Sequence, residues 1–214
     1  VDTYKHIHAA HIKIITHKWT RMEIDGKPHP HSFYRDGNET RNVEVTVREG
    51  KGIEIRSAIS GLLVLKSTGS QFHGFVRDEF TTLPEVWDRI LSTEIDSTWN
   101  WKLYPTLDAV VKAAAKFDKA WKDARDITMK LFATENSPSV QNTMYKMCEH
   151  ILKAVPDLET VEYSLPNKHY FDIDLSFYKG TKNTGKDCTV YAPQSGPNGL
   201  IKCTVGRQGP RSKL

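Results

Sequence analysis

The sequence predicts an α+β domain, an antiparallel sheet with helices on one face. Three observations carry this. Apolar residues alternate with polar ones through the first third of the chain, they switch to helical spacing in the middle, and they return to alternation near the end. The 214 residues suit one large domain, or one domain plus part of another. With 38% hydrophobic and 26% charged residues the composition is that of a globular chain. Thirty Lys and Arg against 26 Asp and Glu leave a net charge of +4, too little to imply a nucleic-acid partner. No apolar run approaches the ~20 residues of a membrane helix, so no membrane partner is expected. Cys148, Cys188 and Cys203 form no CxxC pair, which argues against a disulfide scaffold and for a reducing compartment.

The elements follow in order. From about Ile7 to Ile24 the chain reads as a strand, with Ile12, Ile14 and Trp19 among polar neighbours, and Gly26-Lys27-Pro28 supplies turn chemistry. Val43, Val45 and Val47 alternate with Glu44, Thr46 and Arg48, the period of a half-buried strand, until Gly50-Lys51-Gly52 breaks the run. Ile53, Ile55, Ile59, Leu63 and Leu65 then occupy odd positions of a long strand that bends at Gly61. Thr82 and Glu85 make a capping box with Pro84 in the first turn, which predicts a helix through Val86, Ile90 and Leu91. A longer helix carries Leu107, Val110, Ala114, Phe117, Trp121, Ala124, Ile127 and Leu131 at helical spacing. Asn136-Ser137-Pro138 ends it, and a further helix presents Val140, Met144, Met147 and Ile151 on one face. Alternation resumes from Val161 through Phe177, and a last strand runs near Leu200–Val205.

Several residues could carry chemistry. In the run from Val161 to Phe177, Asn167 and His169 interrupt an otherwise apolar face, and Pro166 warns of a bulge that would shift the register. Either the two are satisfied core polar groups, or they mark a site where histidine handles protons near neutral pH. Val140 and Gln141 sit in the first turn of a helix, where free N–H groups and the dipole favour an anionic or acceptor-rich ligand; a plain helix start is the other reading. The planar fork of Arg89 could hold a carbonyl and a ring nitrogen together, or be a solvated charge. Phe72 could stack on a flat ring or fill core. His6, His8 and His11 split between two strand faces, and His29 and His31 add a second HxH without a carboxylate or cysteine to complete a ligand set, so no metal is assigned. There is no GxGxxG and no P-loop, hence no expected nucleotide cofactor. The terminal Ser212, Lys213 and Leu214 read as a peroxisomal address for an import receptor, or as an ordinary basic end.

Taken together these segments resemble the urate oxidase (uricase) family, of fungal type. The resemblance rests on Leu63-Val64-Leu65-Lys66-Ser67-Thr68, Ser70-Gln71-Phe72, Gly74-Phe75, Arg77-Asp78-Glu79 and Trp87-Asp88-Arg89. It rests equally on Ser139-Val140-Gln141, Thr143-Met144-Tyr145-Lys146 and the run from Glu159 to Phe171. Ile7-His8-Ala9-Ala10-His11, the run from Asp25 to Phe33 and the SKL end match as well, so it covers essentially the whole chain.

The resemblance implies two tandem T-fold (tunneling-fold) units, each a four-stranded antiparallel sheet with helices inserted after its second strand. Residues 1–50 would be the back strand pair of a first, incomplete unit, 51–205 the second unit and 206–214 a tail. It further implies a homotetramer with active sites at contacts between chains, and peroxisomal localisation. Phe72 would stack on urate, Arg89 would grip one edge, and Gln141 with the Val140 backbone the other. Asn167 would face the O2 or water position, and His169 would belong to a proton relay. Urate, O2 and water would give 5-hydroxyisourate and hydrogen peroxide without a cofactor. The family completes the relay with a threonine and a lysine from the first unit. This chain opens on Val1, almost directly in a strand, so we expect further chain upstream and little turnover from these residues alone. A non-catalytic purine- or pterin-binding T-fold module is the alternative.

Overall fold

Alternation from Ala9 to Lys66 builds three long antiparallel strands, β1 (Ala9–Ile24), β2 (Lys27–Arg48) and β3 (Gly52–Lys66). The computed structural model describes residues 1, 3–196 and 198–207; the SKL tripeptide at 212–214 lies outside them. Asp25 and Gly26 turn β1 into β2, both at positive φ, the turn hand that suits the strand twist of a hairpin. The bend expected at Gly61 is a register shift in the pairing of β3 with the next strand, between Ile59 and Leu62. The shift moves the inward face from odd to even positions. Ile55 and Ile59 are buried, then Leu62 and Val64, while Leu63 and Leu65 are 61% and 51% exposed, opposite to the expectation.

The helix expected over Thr82–Leu91 does not form. Its capping residue is used elsewhere: Glu85 Oε1 accepts from the Gly74 N–H at 3.0 Å, and Val86 and Phe72 exchange backbone hydrogen bonds at 2.9 and 2.7 Å. The segment is a loop that leads into β4 (Leu91–Trp101), an interior strand that apolar patterning does not reveal. Buried Ser92, Thr93 and Ser97 interrupt its apolar run. Two of them have local partners, Ser92 donating to the Val64 carbonyl at 3.2 Å and Thr93 to that of Pro166 at 2.7 Å.

Thr106 caps α1 (Leu107–Lys112), and a break at Ala113 separates it from α2 (Ala114–Thr134), where the spacing predicts one continuous helix. Ser139 caps α3 (Val140–Ala154), its hydroxyl accepting from the Asn142 N–H at 3.1 Å. β5 (Leu158–Lys168) returns through the sheet. The alternation expected to run to Phe177 leaves the main sheet after Lys168: β6 (Tyr170–Asp172) pairs with β7 (Tyr191–Pro193) in a separate ribbon. Asn183, 2% exposed, organises the loop between them. It donates to the carbonyls of Ile173 and Val190 and accepts from the amides of Thr189 and Val190. β8 (Gly199–Gly206) closes the six-stranded sheet, ordered β1-β2-β3-β4-β5-β8.

α2 and α3 lie on one face of β3, β4 and β5. Trp99, Ile95, Val161 and Tyr163 meet Ala124, Met144, Met147 and Ile151 in a dry core. A buried hydroxyl pair, Thr128 with Tyr163 at 2.5 Å, crosses it.

Two glycines test the backbone separately from packing. Both Gly26 and Gly52 sit at positive φ, but a Cβ on Gly26 meets open space and one on Gly52 would lie 2.7 Å from the Tyr104 carbonyl. Gly26→Ala should cost about 1 kcal/mol. Gly52→Ala adds a backbone collision and should cost about 2–4 kcal/mol in urea unfolding. Equal losses would contradict the close approach of β3 to Tyr104.

Candidate active site

The loops after β3 and before β4 run side by side and zip together. Arg89 N–H donates to the Ser70 carbonyl at 2.9 Å, Phe72 and Val86 pair through their backbones, and the His73 ring stacks on Trp87 at 3.8 Å. This pairing brings two expected site residues together. The Arg89 guanidinium carbon lies 5.5 Å from the centre of the Phe72 ring. Phe75 stacks on Phe72 with ring centres 4.7 Å apart, which restrains the plane of the ring.

Arg89 is half-buried, and its Nε is shielded from solvent without a hydrogen-bond partner. Among the described residues it forms no ion pair within 4.0 Å. Burial pushes its pKa below the usual guanidinium value, although arginine stays protonated at any ordinary pH. A desolvated charge without a partner lowers stability, and an anion placed beside it removes that cost. A fork of donors next to a half-buried aromatic ring suits a flat, anionic, acceptor-rich ring.

The turn before α3 is stitched to the same loop. Gln71 N–H donates to the Ser137 carbonyl at 2.7 Å and Ser137 N–H to that of Gly69 at 3.0 Å. The Thr143 hydroxyl donates to Ser137 Oγ at 2.7 Å. Ser139 caps the amide of Asn142, and the amides of Val140 and Gln141 lie in the helix turn that has no intrahelical acceptors. Val140 is buried in the core, whereas Gln141 is exposed on the first turn.

Asn167 and His169 arrive on β5 and just past it. Val161, Tyr163 and Leu165 point inward, and half-buried Asn167 continues their parity. Pro166 causes no register shift: Leu165, Pro166 and Asn167 stay in step with Ile201, Leu200 and Gly199. Asn167 lies opposite Thr93, and Lys168 opposite Ser92, so both residues belong to the sheet end at which β4 begins after Arg89. The His169 ring is half-buried and lies parallel to Phe171 with centres 6.0 Å apart. Phe72, Arg89, Val140 and Gln141 are thus joined through one network of backbone bonds, and Asn167 and His169 stand at the same sheet end. Among the described residues no hydrogen bond links His169 to Arg89 or Gln141.

Patterning did not single out Lys66 or Asp88, which also shape this end. The Lys66 ammonium donates to the Glu135 carbonyl at 2.6 Å, and its pKa is lowered by burial. A lysine that closes a strand with a buried inner face was the available signal. The His29 and His31 rings meet edge to face with centres 4.6 Å apart. His8 pairs with Glu49, His11 with Thr46, and the described residues contain no group of three side chains placed to hold a metal. A groove of about 470 Å³ lies elsewhere, between β1, β2 and α2, against Trp121 and Arg125, and contains none of the expected site residues.

The chain is similar to known proteins along its whole length. The uricase family model matches residues 1–46 and 55–202. A uricase of Emericella nidulans is 67% identical and one of Aspergillus flavus 64% identical over 214 residues, all of this chain and 71% of each relative. The crystal structure of uricase from Arthrobacter globiformis matches with a TM-score of 0.81 at 32% identity, covering 100% of this chain and 68% of that one. The sheet with helices on one face is therefore a T-fold.

The unpaired guanidinium gives a prediction with opposite signs for stability and binding. Arg89→Met removes a desolvated charge and leaves no orphaned partner, so thermal stability should hold or rise. Affinity for a planar anion, measured calorimetrically, should fall by about 2–5 kcal/mol. A variant that loses stability and keeps its affinity would show Arg89 to be structural.

Proposed function

Because the chain belongs to the uricase family and is a urate oxidase by that kinship, we propose that it turns urate, O2 and water into 5-hydroxyisourate and hydrogen peroxide. Two electrons leave the purine ring and, with two protons, convert O2 to peroxide. The oxygen of water remains on the ring carbon that lost them. An electron-rich urate dianion reduces O2 without a metal, flavin or other cofactor, so the protein's task is to orient and deprotonate urate and to place O2 and one water against its ring.

The observation that carries this reading is half-buried, unpaired Arg89 beside the face of Phe72 and bonded through its loop to the start of α3. In the proposed complex urate stacks on Phe72. Arg89 donates to acceptors on one edge, and the Gln141 amide and the Val140 N–H hold the opposite edge. Asn167 faces the position above the ring taken by O2 or water, and His169 moves protons to and from it.

The same reading extends to assembly and address. Residues 1–50 act as the back pair of a first T-fold unit, and 51–205 form the second. Ile12, Ile14 and Trp19 lie exposed along β1 and offer the apolar surface a homotetramer would cover, with active sites at the contacts between chains. Ser212-Lys213-Leu214 directs the chain through its import receptor to the peroxisome, a suitable place to release peroxide.

The test uses the product of the full reading frame that carries this chain. Oxygen uptake and peroxide release should both match urate consumed, one for one, and survive a chelator. His169→Ala should lower kcat about 100-fold or more while changing KM little. Tight urate binding without oxygen uptake would favour a non-catalytic purine- or pterin-binding module instead. That alternative has one observation behind it: within this chain no hydrogen bond between described residues reaches the His169 ring.

A further inference from the structure

We propose that Asp88 is a positioning residue that sets the spacing between Phe72 and Arg89 by clamping the backbone of the opposite loop. The proposal rests on the reading of those two residues as the urate clamp. Asp88 is exposed, yet among the described residues its carboxylate is engaged by the chain rather than by a cation within ion-pair distance. One oxygen accepts from the Thr68 hydroxyl at 2.6 Å and the other from the Gly69 N–H at 2.9 Å. The Thr68 hydroxyl above all, with the nearby backbone amides, holds its pKa below the usual aspartate range.

The connectivity makes this more than a local turn. Asp88 is covalently next to Arg89, and its partners Thr68, Gly69 and Ser70 lead into Phe72. The carboxylate therefore fastens the strand of chain carrying the guanidinium to the strand carrying the ring. The neighbouring bonds, Arg89 N–H to the Ser70 carbonyl and the Phe72–Val86 pair, are neutral backbone bonds that any sequence could form. The bonds to Asp88 are charge-assisted and depend on that side chain. Ser137 accepts from Gln71 in the same loop, so a shift of residues 68–72 would also displace the turn before Val140 and Gln141.

The experiment compares Asp88→Asn with Thr68→Val in the full-frame enzyme. Asn keeps the shape and removes the charge, so its Oδ1 accepts from the Gly69 N–H without charge assistance and its NH2 must donate to the Thr68 hydroxyl, reversing that bond; Val removes one donor and leaves the carboxylate. Asp88→Asn should raise KM for urate about tenfold while kcat changes less than about threefold, and Thr68→Val should raise KM about threefold. Asp88→Glu, which restores the charge, should recover part of the loss. Hydrogen exchange supplies a readout independent of urate, since the amides of residues 69 and 89 should exchange about tenfold faster in Asp88→Asn. If Asp88→Asn does not fold, Thr68→Val decides by the same two measures. Unchanged exchange overturns the proposal, and so does faster exchange with unchanged KM, which would make Asp88 merely structural. A wild-type protein that neither binds nor oxidises urate would instead refute the proposed function, and exchange alone would then decide whether Asp88 clamps the loop.

Discussion

Trp99, Val161 and Tyr163 on the sheet and Met144, Met147 and Ile151 on α3 exclude solvent from a single seam, and the position of α3 follows from it. Close packing of this kind allows little sliding, because each displaced side chain would open a void or force a strained rotamer. The Thr128–Tyr163 hydroxyl pair adds a directional constraint inside it, and burial raises the tyrosine pKa so far that the phenol stays neutral. With α3 so held, its first turn projects beside the loop after β3, where Ser137 bonds to that loop in both directions. The candidate site is therefore mounted on a sheet and a helix through short backbone bridges, the arrangement that keeps a binding geometry tight.

Charge is divided at this end in an instructive way. Asp88 and Arg89 are neighbours of opposite sign, and an ion pair between them would neutralise the site. The carboxylate instead faces the donors of Thr68 and Gly69, and among the described residues the guanidinium beside Phe72 has no partner. Lys66, another partly buried cation at this end, directs its ammonium to the Glu135 carbonyl at the end of α2. Glu135 itself pairs with Lys146 on α3, so both helices are tied to the strand that leads into the loop. Among the described residues this leaves the half-buried Arg89 guanidinium without a counter-ion against an aromatic ring, a configuration that is costly until an anion fills it.

Much of this was legible in the sequence, and the failures have physical causes. The hairpin of β1 and β2, both long helices and β8 followed from period and turn residues. Thr82 and Glu85 satisfied the helix-start rule, but the glutamate found the Gly74 amide across the loop, a tertiary partner that no local pattern reveals. β4 was hidden because interior strands next to a site carry serine and threonine with local acceptors, as Ser92 and Thr93 do. The register shift near Gly61 moved Leu63 and Leu65 outward, which a strict period of two cannot anticipate. For the site, Asn167 and His169 stood out as polar breaks in an apolar face. Phe72, Arg89, Val140 and Gln141 gained meaning only from the family resemblance, since a lone arginine or phenylalanine has no distinctive period. Asp88 stands in a segment that carries the resemblance, Trp87-Asp88-Arg89, but its contacts depend on a loop pairing visible only in three dimensions.

Whether Phe72, Arg89 and the first turn of α3 hold urate, as proposed, is decided by a crystal structure of the full-frame enzyme with urate under anaerobic conditions. The purine is expected to stack on Phe72, with one edge within hydrogen-bond distance of Arg89 and the opposite edge at Val140 and Gln141. Urate seated instead in the groove against Trp121 and Arg125, with the Arg89 guanidinium left unpartnered, would contradict the proposal.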